Sequence, residues 1–125
     1  MPFSVEVTKH FTASHGLYNY LGKDEDLHAE QWCLKVEVRS DELDEAGCCV
    51  DFHALEKTLD ELLSPIIGKS FNELLFFKTL SPSAENIAYY FHTELSKIYN
   101  SNRLHVYKVT AYEDEYHAAS YWEKT

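Results

Sequence analysis

Hydrophobic and polar residues alternate near both ends of the chain, which predicts β-strands there. Residues 3–15 and 31–40 each place apolar side chains at every second position, as a strand with one buried face does. A loop with glycines and an acidic cluster separates these two segments. Residues 103–125 alternate over two shorter stretches that break near Asp114 and Glu115, so they predict a hairpin.

The middle of the chain spaces its apolar residues as two amphipathic helices do. Asp51 is a suitable N-cap for the first helix, and Pro65 ends it. Its predicted buried stripe is Phe52, Leu55, Leu59, Leu62 and Leu63. For the second helix Ser81 is the predicted N-cap, with Pro82 in the first turn and Glu85 near the positive end of the helix dipole. Its predicted buried stripe is Ile87, Phe91, Leu95 and Ile98.

The order β-β-α-α-β-β predicts an α+β fold, an antiparallel four-stranded sheet with two helices on one face. A chain of 125 residues suits a single domain over residues 1–125. Such a short sheet has open edges, and pairing between copies commonly covers them. We therefore expect a homo-oligomer.

The composition narrows the classes of partner and compartment. With 21 acidic and 11 basic residues, the formal net charge of −10 repels phosphate backbones and anionic lipids, so we expect no nucleic-acid or membrane partner. No apolar run approaches the roughly 18–20 residues that cross a bilayer, and the N-terminus lacks a secretion-signal pattern. Cys33, Cys48 and Cys49 fit neither a disulfide framework nor a paired metal knuckle. We expect a cytoplasmic protein with reduced cysteines.

Five short segments occur in the same order as the motifs of a known enzyme family. They are FTASH at 11–15, LHAEQW at 27–32, VDF at 50–52, PSAEN at 82–86 and Glu113. In that order they resemble the Phe-x-Ala-Ala-His, Leu-His-Gly-His-Asn-Tyr, Val-Asp-Phe and Pro-Thr-x-Glu-Asn motifs and the ring-binding glutamate of the 6-pyruvoyltetrahydropterin synthase and 6-carboxytetrahydropterin synthase family. The resemblance implies the T-fold, in which trimeric barrels stack into a hexamer with active sites between subunits.

The resemblance also implies a zinc cofactor. His15 and His28 match two zinc-binding histidines of the family, and Glu30 stands where the family has a third. Two positions apart on an extended segment, His28 and Glu30 share one face, and glutamate is an accepted zinc ligand. Its negative charge makes a bound metal a weaker Lewis acid. Spacing alone would favour ordinary histidines and a glutamate that faces water, and it is the resemblance that shifts the prediction to a metal site.

The usual proton-transfer groups of the family are replaced in this sequence. Asp24 occupies the position of the family's catalytic cysteine, and Asp24 or Glu25 could act as the base, although an exposed loop charge is the simpler interpretation. The family's catalytic Asp and His correspond to Ile67 and Gly68, whose side chains transfer no protons. Substitutes would have to come from elsewhere in space, and the candidates are His10, His53 and His117.

Two functions remain open on the sequence. By resemblance, Glu113 holds the ring of a pterin-like substrate, and Ser83 and Glu85 help to close its pocket. The first hypothesis is a zinc-dependent synthase or carbon-oxygen lyase of pterin or deazapurine (queuosine) metabolism, with weak or altered activity on a 7,8-dihydroneopterin triphosphate-like substrate. The second is a catalytically silent paralogue that keeps the oligomer and binds a pterin or a protein partner, which the residues at 67 and 68 favour.

Overall fold

Four strands and two helices follow one another in the predicted order. The structure, a computed structural model, describes residues 1–123. Its elements are the strands β1 (Phe3–His15), β2 (His28–Ser40), β3 (Leu104–Tyr112) and β4 (Ala118–Trp122), the helices α1 (Phe52–Leu63) and α2 (Ala84–Tyr99), and the short 3-10 turns Phe71–Glu73 and Leu75–Phe77. The predicted hairpin is confirmed over β3 and β4, and its last two residues, 124–125, lie outside the described part.

The four strands form one antiparallel sheet in the order β1-β2-β3-β4, which leaves β1 and β4 at its edges. β1 and β2 pair along their whole length, from Phe3 opposite Ser40 to His15 opposite His28. β2 begins at His28, three residues before the predicted start at 31. The first residues of β2 are therefore fixed by the sheet ladder and do not belong to the loop.

The helix ends agree with the prediction in one helix and correct it in the other. Asp51 caps α1 as predicted, because its side chain accepts the N–H of His53 at 2.9 Å, and α1 ends before Pro65. The prediction of Ser81 as the N-cap of α2 is wrong. The chain is still extended at Ser83, whose hydroxyl accepts the N–H of Asn86 at 3.1 Å. Pro82 therefore precedes the helix, and its carbonyl is free to bind a side chain from β1.

The predicted hydrophobic stripe of each helix is buried except at one end. The buried members are Leu55, Leu59, Leu63, Ile87, Phe91 and Leu95. Phe52 and Ile98 were also predicted to be buried, but they are 48% and 57% exposed. In the last turn of α2 it is Tyr99 that packs on the core, and its hydroxyl lies 2.7 Å from Thr58 Oγ1 of α1. The start of α1 thus lies at the rim of the core, and the last turn of α2 presents Tyr99 to the core in place of Ile98.

An aromatic cluster joins the core to the ends of β1 and β2. Phe71 is fully buried, and its ring centroid lies 5.5 Å from that of Trp32 and 6.1 Å from that of Phe11. The Trp32 indole N–H donates to the Ala13 carbonyl at 3.1 Å. This packing fixes the strand ends that carry the candidate site.

Two further features concern the cysteines and the helices. Cys33, Cys48 and Cys49 are all free, as predicted. Within residues 1–123 no helix is both long enough and apolar enough to cross a membrane.

Candidate metal centre

The candidate metal centre lies where β1 ends and β2 begins. In the ladder His15 pairs with His28, and Ala13 pairs with Glu30. Because successive strand residues point to opposite faces, His28 and Glu30 lie on one face of β2. The last residue of β1 therefore comes beside the first and third residues of β2.

Glu113, at the start of the turn between β3 and β4, joins these three residues. His15, His28, Glu30 and Glu113 each offer one ligand atom, and the four atoms all lie within 4.8 Å of one another. In the described part of the chain this is the one set of three or more His, Cys, Asp or Glu side chains with such geometry. We call these four residues the His/Glu cluster.

A backbone carbonyl holds His15 in one orientation. The residue is only 3% exposed, and its Nδ1 donates to the Pro82 carbonyl at 2.7 Å. Since a carbonyl can only accept, Nδ1 carries a proton, and Nε2 is the nitrogen left to face the cluster. Nε2 faces Glu113 Oε1 at 2.7 Å, and the Trp32 ring packs edge-on at 4.9 Å. His15 thus presents the nitrogen that a metal ion would bind.

His28 lies between two carboxylates. Its Nδ1 is 2.8 Å from Glu30 Oε1, and its Nε2 is 3.1 Å from Glu25 Oε1. Burial lowers the pKa of His28, but its hydrogen bonds to Glu30 and Glu25 outweigh burial and raise the pKa above its usual value. A carboxylate oxygen thus faces each ring nitrogen of His28, and a metal ion at either nitrogen would have to compete with a proton there.

Hydrogen bonds of both the backbone and the side chain hold Glu25 in place within the loop between β1 and β2. Its N–H donates to the Leu17 carbonyl at 2.8 Å, and its Oε1 accepts the Leu17 N–H at 3.1 Å. The Leu17 N–H lowers the pKa of Glu25; burial opposes this, and His28 lowers the pKa further. Glu25 is therefore an ionised carboxylate in a fixed position beside His28.

Gly16 and Asn72 hold this loop against the rest of the site. The Asn72 side chain accepts the Gly16 N–H at 3.1 Å and donates to its carbonyl at 2.9 Å. A Cβ at Gly16 would lie 2.6 Å from the Glu25 carbonyl oxygen, closer than packed atoms allow. The close approach of these two backbone segments thus requires glycine at position 16.

The donors of the His/Glu cluster fit a divalent cation. Imidazole nitrogens and carboxylate oxygens are both zinc ligands. The outward-facing nitrogen of each histidine is held by an oxygen, from the Pro82 carbonyl for His15 and from Glu25 for His28. Outer hydrogen bonds of this kind are typical of metal-binding histidines, because they fix the ring and its tautomer. The cluster could therefore hold a metal ion without rearrangement of these outer bonds.

A depression of about 640 Å³ opens beside the cluster. Its volume lies within the range of about 300–1,000 Å³ that is usual for small-molecule sites, so it can accept a bicyclic ring. The lining residues are Thr12, Ala29, Glu30, Gln31, Glu113, Asp114, Glu115 and Tyr116.

Three predicted site residues lie outside this depression. Asp24 is exposed, and its Oδ1 accepts the N–H of Asn19 at 3.0 Å, which stabilises the loop. Ser83 caps α2, and Glu85 is exposed in the first turn of that helix. None of the three is among the residues that line the depression.

The candidate substitutes for the missing proton relay do not reach the cluster. Within residues 1–123, His10, His53 and His117 are exposed and lie outside the His/Glu cluster. Ile67 is 51% exposed, and the Gly68 N–H donates to the Thr12 carbonyl at 2.9 Å. At positions 67 and 68 the chain therefore supplies a backbone contact to β1 and no proton-transfer group.

Sequence reasoning missed four features of this site. The Pro82 carbonyl that orients His15 carries no side-chain signal. The link from Glu25 to His28 has none either, because residues three apart on an extended chain point to opposite faces, and it is the loop folding back on Leu17 that brings the two side chains together. Neither the metal-facing position of Glu113 nor the Asn72 contact with Gly16 follows from local spacing.

The comparison with known families decides where the chain belongs. The sequence model of 6-pyruvoyl tetrahydropterin synthase matches residues 4–124. The chain belongs to the 6-pyruvoyl tetrahydropterin synthase family. Family membership and the predicted T-fold are therefore confirmed. No curated protein matches the chain by sequence.

Solved structures of the 6-pyruvoyl tetrahydropterin synthase family share the fold over nearly the whole length. The Caenorhabditis elegans 6-pyruvoyl tetrahydropterin synthase has a TM-score of 0.83 at 24% identity and covers 99% of this chain and 98% of its own. The Plasmodium vivax enzyme has a TM-score of 0.73 at 13% identity, covering 98% and 99%. A further Plasmodium vivax structure, in which alanine replaces a glutamate described as a catalytic residue, has a TM-score of 0.71 at 12% identity with the same coverage.

Proposed function

We propose that this chain is a zinc-dependent pterin-type synthase or lyase that acts on a 7,8-dihydroneopterin triphosphate-like substrate, with weak or altered activity. The observation that carries the proposal is the convergence of His15, His28 and Glu30 beside a depression that accepts a bicyclic ring. Membership of the 6-pyruvoyl tetrahydropterin synthase family supports the substrate class. Deazapurine (queuosine) synthesis is the other metabolic setting that suits such a substrate.

In this proposal His15, His28 and Glu30 hold the ion. When bound, zinc polarises oxygens of the substrate side chain as a Lewis acid. Glu30 adds a negative charge where an imidazole would add none, so this polarisation is weaker than in a site with three histidines. The ligand set therefore predicts slower or altered chemistry.

Glu25 is better placed than Asp24 to take a proton from the substrate. A general base must lie within hydrogen-bond reach of the reacting proton, and Glu25 contacts the cluster through His28. Asp24 binds the backbone of its own loop. The lowered pKa of Glu25 makes it a weak base, which agrees with feeble turnover. A glutamate also serves as a catalytic residue in the Plasmodium vivax enzyme.

The ring-binding part of the proposal rests on Glu113 and on the start of α2. Glu113 has two acceptor oxygens for the N–H groups on one edge of a pterin ring. Ser83 and Glu85 contribute from outside the depression: Ser83 caps α2 next to Pro82, whose carbonyl orients His15. We propose that these two residues position the site and do not contact the ring directly.

The residues at 67 and 68 limit the expected rate. Loss of a general acid or base typically costs about 100-fold to 10,000-fold in rate. The backbone at Gly68 has a φ of 71°, a left-handed conformation that glycine adopts without strain. Position 68 therefore suits a tight backbone turn and supplies no proton-transfer group.

Assembly and location belong to the same proposal. β1 and β4 are the edge strands of the sheet, so copies can pair through them into a trimeric or hexameric barrel. The three free cysteines favour a reducing compartment such as the cytoplasm.

The second candidate function is a catalytically silent paralogue. Ile67 and Gly68 favour it, because neither replaces the lost acid–base groups. Such a protein would keep the oligomer and bind a pterin or a protein partner without turnover.

Incubation with 7,8-dihydroneopterin triphosphate tests the first function against the second. We expect the zinc-loaded protein to convert the compound slowly and a chelator-treated sample to convert none, with products separated by chromatography. Glu30→Ala is the control variant, since it should lose both zinc and turnover. Binding of the compound without any conversion would reject the enzyme and support the silent paralogue.

Glu25→Gln and Asp24→Asn form a matched pair that tests the base. We expect Glu25→Gln to lower turnover by about 100-fold or more, because an amide cannot take the proton. Asp24→Asn should stay within a few-fold of wild type, since it touches only the loop. Turnover of both variants is measured at saturating zinc, to separate proton transfer from metal affinity. The opposite ranking of the two variants would show that the base is Asp24.

A further inference from the structure

The contact between His15 and Glu113 does not fit a glutamate that serves only to hold a ring. His15 Nδ1 is committed to the Pro82 carbonyl, so Nε2 is the nitrogen that faces Glu113 Oε1, 2.7 Å away. This is the distance of a hydrogen bond between a ring nitrogen and a carboxylate, with one proton between the two atoms. A metal ion bound by both atoms would replace that proton and widen the contact, since each ligand atom of a zinc site lies about 2.0–2.2 Å from the metal.

The charge balance of the cluster favours a metal ion in that position. Glu30 and Glu113 carry two negative charges and Glu25 beside His28 adds a third, so a divalent ion offsets most of this charge, and the two imidazoles complete a set of four donors. The side chains of Glu30 and Glu113 are 26% and 30% exposed, so water screens the charges of both carboxylates only in part. The hairpin contact between the Glu113 N–H and the His117 carbonyl at 2.9 Å fixes the backbone of Glu113 beside the cluster.

We infer that Glu113 is a fourth metal ligand in the protein without substrate, so that His15, His28, Glu30 and Glu113 form a closed site with two imidazoles and two carboxylates. This inference rests on the proposed metal site and deepens it. A ring that binds both carboxylate oxygens of Glu113 would take this carboxylate from the ion and so leave a coordination position open to the substrate. Glu113 would then have two alternative partners, the ion and the ring.

Metal affinity separates this role from ring binding alone. Co²⁺ is titrated against a competing chelator into wild type, Glu113→Gln and the control Glu115→Gln, whose residue lines the same depression outside the cluster. We expect Glu113→Gln to weaken Co²⁺ binding by at least roughly 10-fold, which is the smallest loss seen when a hydrogen-bond partner of a metal ligand is removed. Glu115→Gln should bind Co²⁺ with the affinity of the wild type. The visible absorption of bound Co²⁺ should also change only in Glu113→Gln, because its coordination sphere loses a carboxylate.

Other results of the Co²⁺ titration would overturn the inference. If Glu113 is only an ion-pair partner of His15, its removal frees the imidazole, and Co²⁺ affinity stays equal or rises; either result overturns the inference while leaving the proposed metal site intact. A wild-type protein that binds no Co²⁺ overturns both. Circular dichroism verifies folding, and Glu113→Asp, which keeps the charge but is one methylene shorter, takes the place of a Glu113→Gln that fails to fold, with the same loss expected.

Discussion

Replacing His15 by alanine is expected to abolish stoichiometric zinc binding. His15 offers a single free nitrogen, fixed by the Pro82 carbonyl and buried against Trp32, so no neighbouring group replaces it. The loss should exceed the roughly 10-fold to 100-fold that removal of an outer hydrogen-bond partner costs. The measurement is zinc content after equilibrium dialysis, with affinity determined by chelator competition.

His10→Ala is the matched control for this variant. His10 lies on the same strand but is exposed and outside the His/Glu cluster, so its removal should leave zinc affinity unchanged. Circular dichroism of both variants excludes unfolding as the cause of any loss. Equal zinc content in His15→Ala and His10→Ala would mean that zinc binds somewhere else.

Replacing Phe71 by alanine is expected to be the most destabilising change in the core beside the site. Phe71 is fully buried, and its ring meets those of Phe11, Trp32, Phe77 and Phe91 at centroid distances of 5.5–6.4 Å. Truncation of a buried Phe typically costs about 3–5 kcal/mol, from lost burial and the cavity that remains. Urea unfolding in the presence of a chelator measures this cost without a contribution from bound metal.

Phe52→Ala is the control for the core variant, because it truncates the same side chain at a position that sequence periodicity predicted to be buried. Phe52 is 48% exposed, so its truncation should cost less than about 1 kcal/mol. Phe71→Ala should also weaken zinc binding, since Trp32 packs against both Phe71 and His15. A similar loss of stability in the two variants would contradict the packing described above.

The spacing of apolar residues was sufficient to predict the strands and helices, because each of these elements buries one face. The N-cap of α2 was harder to predict, since the side chains of both Ser81 and Ser83 can accept a backbone N–H. Ser81 instead accepts the N–H of Tyr18 at 3.0 Å, a contact between distant parts of the chain. The exposure of Ile98 likewise depends on which face of the last turn of α2 meets the core, and there Tyr99 packs on the core in place of Ile98.

The candidate site, too, was only partly predictable from the sequence. His28 and Glu30 could be placed together because strand geometry puts alternate residues on one face, and family resemblance added His15. Glu113 was assigned to the ring, since nothing in its neighbourhood indicates that the hairpin turn reaches His15. The role of Glu25 depends on how the loop folds back on Leu17, which only the three-dimensional structure shows.

The most direct test of the metal site is a crystal structure of the zinc-loaded protein with anomalous diffraction measured on both sides of the zinc absorption edge. The account predicts one strong anomalous peak per subunit, about 2.0–2.2 Å from His15 Nε2, a ring nitrogen of His28 and a carboxylate oxygen of Glu30. A zinc-loaded crystal with no peak among these three side chains, or with its peak elsewhere, would contradict it.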